Sequence, residues 1–262
     1  MAKTSLLVAR TAGRDFIKMH GLLNHFVIVD ARKDPWVPDE QEIVRICEPQ
    51  AGVGADQLII IEPARSSDAD VFMRIFNVDG REVEACGNAT RCVAWLLMEA
   101  AGSKHLVIQT VAGPIYCEQV ADHQVRCSMG RISMKWDQIP LSHKVDTCQL
   151  KFSGSELGCG VALNIGNPHI VFFVPDIDEI DIEESAPLIQ KDPIFLRGVN
   201  VGVAQLVSDT SLRLKVFERG AGVTQACGSG ACAAAYAALV RGLTDCREIT
   251  VSLPGGKVFV EI

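Results

Sequence analysis

Two cysteines, at positions 86 and 227, stand in the same local setting. Cys86 lies in EACGNATRC ahead of VAWLLMEAAG, and Cys227 lies in QACGSGAC ahead of AAAYAALV. Each is followed by a glycine and then by a run apolar enough to be a buried helix. A cysteine at a helix N-terminus meets unpaired N–H groups and the positive end of the dipole. Both favour the thiolate and draw the pKa from ~8.5 towards neutrality. A group that titrates near the working pH suits proton transfer. The N–H groups of Gly87 and Asn88, and of Gly228 and Ser229, make a cradle for a carboxylate. Glycine after each cysteine lets a ligand approach the backbone. Two such ends facing one cleft would place a thiol on each side of a ligand. That suits removal of a proton from a stereocentre on one face and its return on the other. Hydrogen bonds to the substrate carboxylate and exclusion of water would stabilise the carbanion. Tight packing of Cys before Gly is the competing reading, and it explains one such cysteine better than two in matched positions.

The elements that must position these thiols also occur twice. FMRIFNVDGREVEACG and LRLKVFERGAGVTQACG place Phe76 and Phe217 at the same distance ahead of their cysteines. GVGADQLIIIE (52–62) answers to GVNVGVAQLV (198–207), and GLLNHFVIVD (21–30) answers to IGNPHIVFFV (165–174). Matched elements in constant order indicate an internal duplication. Each half reads strand, loop, short helix, strand, strand, tight turn, buried helix. Asp39 is the expected N-cap of the first short helix, with Glu42 completing a capping box. The buried helices should span 87–101 and 228–241, stopping at Gly102 and Gly242. LIIIE, LVIQT, IYCEQV, HIVFFV, LRLKVF, EITVSL and KVFVEI read as strands. The expected fold class is α/β (α+β): two pseudo-symmetric domains, 1–130 and 131–262, each a mostly antiparallel sheet curled around a central helix. The join falls near MGRISMKW, 129–136.

Bulk properties narrow the partners. The 262 residues are 48% hydrophobic and 22% charged, with a formal net charge of -7 and a pI near 5.4. That balance argues against nucleic acid as a partner. The longest apolar stretch falls short of the ~20 residues of a membrane span, and MAKTSLLVAR carries no secretory signal. The ten cysteines include no CxxC pair, and the six histidines show no metal-ligand spacing. The expectation is a cytoplasmic protein without metal or cofactor, in which about eight of the ten cysteines are small buried hydrophobes. A pyridoxal phosphate enzyme is disfavoured, because no lysine has a recognisable Schiff-base setting. A redox protein using a Cys86–Cys227 disulfide and a binding-only module are weaker alternatives.

With these residues assembled, the chain resembles the diaminopimelate epimerases. The motifs are MHGLLNHFVIVD, GVGADQLIIIE, FNVDGREVEACGNATRC, GNPH, VNVG, ERGAGVTQACGSGAC and LPGG, in the family's order along nearly the whole chain. The resemblance implies cofactor-independent interconversion of LL- and meso-diaminopimelate, with Cys86 and Cys227 as the thiol pair. It also implies His169 beside the reacting centre. Asn24, Gln57, Asn77, Asn167 and Asn200 look like the family's amide ligands. Glu218 and Arg219 resemble its acid and base pair, suited to a substrate ammonium and a distal carboxylate. The proline racemase type, whose substrates lack a second charged end, is the alternative. The sequence departs from the family at Leu23, where Gly is usual, and at His25, where Asp is usual. Both flank Asn24 and bear on the shape of that loop. A closing hairpin with a Met-Thr-Gly-like motif is missing after LPGGKVFVEI, so the homodimer that the resemblance implies is expected to be weakened.

Overall fold

The computed structural model describes residues 8–11 and 13–262. Residues 1–7, read above as lacking a secretory signal, lie outside the described residues. The chain divides after Ser128 into two compact units.

The first unit runs β1 (Val8–Thr11), β2 (Arg14–Gly21), β3 (Asn24–Asp30), α1 (Glu40–Cys47), β4 (Gln57–Pro63), β5 (Val71–Asn77), β6 (Glu82–Val83), α2 (Gly87–Ala101), β7 (His105–Thr110), β8 (Gly113–Ala121) and β9 (Gln124–Cys127). Its sheet has the order β1-β2-β3-β4-β5-β7-β8-β9, with β6 on β5. Every pairing is antiparallel except β3–β4 and β5–β7. Those parallel joints are the places where a helix crosses over, α1 in one case and α2 in the other. Helix α2 touches β2 and β3 on one arm of the sheet and β7, β8 and β9 on the other, so the sheet curls around it.

Strand β4 shows why its sequence is continuously apolar. Ile59 and Ile61 face the α2 core, and Leu58 and Ile60 face the core that Ile43 and Ile46 of α1 share. A strand buried on both faces needs no polar alternation. The capping box forms as expected: Asp39 accepts from the Glu42 N–H, and Glu42 accepts from the Asp39 N–H. Such a cap stabilises a helix by ~1 kcal/mol.

The second unit repeats the plan: β10 (Gly160–Asn164), β11 (Pro168–Phe173), α3 (Ile182–Gln190), β12 (Asn200–Ser208), β13 (Ser211–Glu218), β14 (Gly222–Thr224), α4 (Gly228–Val240), β15 (Glu248–Leu253) and β16 (Gly256–Glu261). The order is β10-β11-β12-β13-β15-β16 with β14 on β13, and the parallel joints are again the two crossovers, β11–β12 and β13–β15. Helix α4 packs on strands from both ends of this sheet. Ala231, Ala233, Ala234, Ala235, Ala237 and Ala238 are all fully buried on it, whereas α2 fills its sheet with Val93, Leu97 and Met98.

The sheets are mostly antiparallel, as expected, with two parallel joints in each. GLLNHFVIVD supplies the expected strand together with the turn of a hairpin, because Gly21 pairs with Asn24 across a two-residue loop. One expectation needs correction. The cysteines outside the two helix starts are less uniformly buried than expected: Cys47, Cys92 and Cys117 are buried, but Cys127, Cys148, Cys159, Cys232 and Cys246 are partly exposed. A thiol is small enough to sit at a sheet or helix margin without cost, so hydrophobic character alone does not place it inside.

Candidate functional site

Each unit assembles a group of the expected residues at the start of its enclosed helix. Cys86 and Cys227 are the N-cap residues of α2 and α4, both with extended backbones. In the first unit the Cys86 thiol points at Oδ1 of Asn24, 3.8 Å away. The same oxygen accepts from Nδ2 of Asn88 at 3.4 Å, and the side-chain Oδ1 of Asn88 accepts from the Arg91 guanidinium. Asn24 is held from behind by Asp56, whose Oδ2 accepts from Asn24 Nδ2 at 3.2 Å and from the His25 N–H at 2.6 Å. Asp56 immediately precedes Gln57, which donates to Oδ1 of Asn77 at 2.8 Å across β4 and β5. Oε1 of Gln57 is buried and has no partner among the described residues.

The departures at Leu23 and His25 have a local account. Leu22 and Leu23 both adopt positive φ, 55° and 64°, the conformation that a two-residue hairpin turn with matched twist requires. The turn geometry that glycine would favour is thus kept with leucine in place. The His25 side chain leans on His20 across the hairpin, with ring centroids 5.3 Å apart.

In the second unit the sulfur of Cys227 accepts from the Gly230 N–H at 3.3 Å and lies 3.5 Å from Oγ of Ser229. Gly230 permits this approach, since a Cβ there would sit 3.2 Å from that sulfur and 2.9 Å from Val216. Nε2 of His169 is 3.0 Å from both Ser229 Oγ and Asn167 Oδ1, and 3.4 Å from Nδ2 of Asn200. Asn167 also donates to Ser229. Oδ1 of Asn200 accepts the Arg219 N–H at 2.8 Å, and the Arg219 guanidinium donates to the Arg197 carbonyl at 2.7 Å. Glu218 accepts from Thr224 Oγ1 at 2.6 Å and shares a hydrogen bond with the Cys227 thiol.

The electrostatics of this second group correct one expectation. Burial, followed by the charge of Glu218, pushes the Cys227 thiol well above its ordinary value rather than towards neutrality. The hydrogen bonds from Ser229 and the Gly230 N–H do favour the thiolate, as the helix-end argument requires, but desolvation outweighs them. Burial also raises Glu218 and lowers His169 to about 3. Desolvation thus favours the neutral form of all three groups.

The structure therefore brings Asn24, Cys86 and Asn88 together with Gln57 and Asn77 nearby in one unit. In the other it gathers Asn167, His169, Asn200, Glu218, Arg219, Cys227 and Ser229. Asp56, Arg91 and Thr224 were missed. Asp56 stands between two quoted motif residues, Gly54 and Gln57, and an acid placed just before a ligand is the signal that could have found it. Arg91 and Thr224 act through side-chain contacts that spacing does not disclose.

Comparison with known proteins places these groups in a lineage. A family model described as Diaminopimelate epimerase matches residues 16–135 and 161–262. A diaminopimelate epimerase of Sphingopyxis alaskensis is 48% identical over 94% of this chain and 88% of its own length. One from Phenylobacterium zucineum is 44% identical over 95% and 90%. Among solved structures, a hydroxyproline epimerase from Agrobacterium vitis superposes with a TM-score of 0.67 at 15% identity, covering 94% of this chain and 83% of that one. A phenazine biosynthesis protein of the PhzF family from Bacillus anthracis gives 0.60 at 18% identity, covering 93% and 87%. These two share the fold. No helix among the described residues is long and apolar enough to cross a membrane. The family model covers both units, helix starts included, and relatives of that name align along almost the whole chain: this protein belongs to the diaminopimelate epimerase family.

Proposed function

We propose that this chain epimerises LL-2,6-diaminopimelate to the meso form by a two-thiol mechanism, with Cys86 and Cys227 as the proton-transferring pair. The observation that carries this reading is the placement of both cysteines as N-caps of enclosed helices in matched units. One sulfur acts as thiolate base and the other as thiol acid, and they exchange roles with the direction of reaction. The N–H groups of Gly87 and Asn88, and of Gly228 and Ser229, would hold the carboxylate beside the reacting carbon. His169, held neutral, and Glu218 complete the reacting group around Cys227. Asn24, Gln57, Asn77, Asn167 and Asn200 supply amides that both donate and accept, and the unpartnered Oε1 of Gln57 is an acceptor ready for a substrate N–H. Arg219 would take the distal carboxylate.

Epimerisation without added cofactor is tested by incubating the protein with LL-diaminopimelate in deuterated water and following deuterium at the α-carbon. Exchange at the wild-type rate in Cys86→Ser or Cys227→Ser would sink the two-thiol scheme; a loss of at least ~10³-fold is expected in each, on the scale of removing a catalytic acid or base. A racemase of the proline type is the second reading, favoured by the fold likeness to the hydroxyproline epimerase. Its substrates have no second charged end, so an Arg219→Ala variant with unchanged KM for diaminopimelate would support it instead. Metabolically, the reaction would serve lysine and peptidoglycan synthesis in the cytoplasm. The proposed assembly is a homodimer, which light scattering of the purified protein would measure.

A further inference from the structure

Cys117 and Cys127 stand apart from the other thiols. They are direct partners across the antiparallel β8–β9 pair, and their sulfurs are 3.4 Å apart in a sulfur–sulfur hydrogen bond. The neighbouring pair, Tyr116 and Ser128, carries the ladder bond from the Ser128 N–H to the Tyr116 carbonyl at 2.9 Å. Cys117 and Cys127 therefore occupy a site without ladder bonds between them. Opposed Cα atoms at such a site approach to ~4.5 Å, inside the ~4.4–6.8 Å range that a disulfide accepts. Two thiols already in contact across this site need a side-chain rotation, not a backbone movement, to be joined.

We propose that Cys117 and Cys127 are a modification site at which a small-molecule disulfide, such as oxidised glutathione, installs a reversible cross-strand disulfide. The Cys127 sulfur, as thiolate, attacks one sulfur of the small disulfide and expels one small thiolate. Cys117 then gives up its proton and attacks the Cys127 sulfur of the mixed disulfide, expelling the second. Two protein S–H bonds are lost and one S–S bond is made. The small disulfide takes the two electrons and two protons and leaves as two thiols. Cys127 suits the first step: it is partly exposed, and the hydrogen bond with Cys117 and the charge of Arg91 lower its pKa.

The reaction stays local. Cys117 is pushed up by its hydrogen bond to Cys127, by burial and by the charge of Cys127. Capping Cys127 in the mixed disulfide removes the first and third of these while leaving Cys117 in contact with the sulfur it attacks. Burial, by contrast, is the main cause that raises Cys92 of α2 to about 12. The disulfide would clamp the β8–β9 hairpin, which packs on α2, while Cys86 at the start of that helix takes no part in it.

The test is oxidation of the full-length protein with oxidised glutathione, alkylation of remaining thiols under denaturing conditions, and non-reducing peptide mapping. The expected product is a peptide pair joined through Cys117 and Cys127 that a dithiol reductant separates, with Cys86 alkylated. Its midpoint temperature should rise by several degrees, as closing a short loop predicts. In Cys127→Ser, both the joined peptides and the rise in midpoint should vanish, with basal turnover retained. The proposal is overturned if Cys117 and Cys127 of the wild type stay alkylatable after incubation with excess oxidised glutathione, or if either is found joined to a different cysteine. The wild-type map alone decides this, even if the variant folds poorly.

Discussion

His169 shows how burial and sequence divide the work at a single residue. A histidine in GNPH reads from sequence as a satisfied core residue or as a member of the site, and the structure makes it both: 1% exposed and in contact with Asn167, Ser229 and Asn200. Its pKa falls from 6.5 to about 3, first by desolvation and then by the charge of Arg219. The folded state therefore binds its proton more weakly than the unfolded chain does. Stability from this group is fully present above about pH 6.5 and is lost as pH falls towards 3. At 1.36 kcal/mol per unit the loss is bounded at about 5 kcal/mol. Glu218, shifted upward, opposes it above the ordinary carboxylate range, so the difference between two proteins is the useful quantity. Urea titrations of wild type and His169→Gln from pH 4 to 7 should show a gap that changes by several kcal/mol below pH 6.5 and is constant above it. A gap independent of pH would mean that the imidazole is not held neutral. The rise in Cys227 was not legible for the same reason: a helix N-terminus is visible in sequence, but the depth at which it is buried is not.

At the scale of elements, what the sequence showed best were those with a long period and a clear stop. Helix α2 ends at Gly102 with φ 64°, and α4 ends within a residue of the Gly242 stop, since Val240 is its last residue and Arg241 its cap. The β2–β3 hairpin was hidden because two leucines occupy its turn, where Asn or Gly would have marked it. Left-handed backbone costs a residue with a side chain ~1–2 kcal/mol, and Leu23 is half exposed, so little burial offsets the strain there. Leu23→Gly should therefore stabilise the protein. After allowing ~0.5–1 kcal/mol for the extra freedom of glycine in the unfolded chain, the net gain should be about 0.5–1 kcal/mol, read as a higher urea midpoint at unchanged m value. A lower midpoint would show that the leucine side chain contributes more than its turn costs.

For the whole molecule, the duplication preserved a frame and changed the chemistry placed on it. Phe26 pairs with Gln57 as His169 pairs with Asn200, and Gln57 lies opposite Asn77 on β5 much as Asn200 lies near Glu218 at the end of β13. Two residues after each cysteine stands Asn88 or Ser229. The titratable side chains at these matched positions, His169 and Glu218, are both in the second unit, whereas the first has Phe26 and Asn77 there. The matched spacing was legible; this division was visible only once strand register had aligned the halves residue by residue. Among the described residues, each hydrophobic cluster draws its members from one unit, with 16–127 filling two of them and 132–262 the other two. Each unit thus has a core of its own, the condition for folding alone. A fragment of residues 129–262 should melt cooperatively with strand-rich circular dichroism. With only one of the paired cysteines, it should not exchange the α-hydrogen of diaminopimelate in deuterated water. A non-cooperative melt would contradict the separate cores, and exchange by the fragment alone would contradict the need for both thiols.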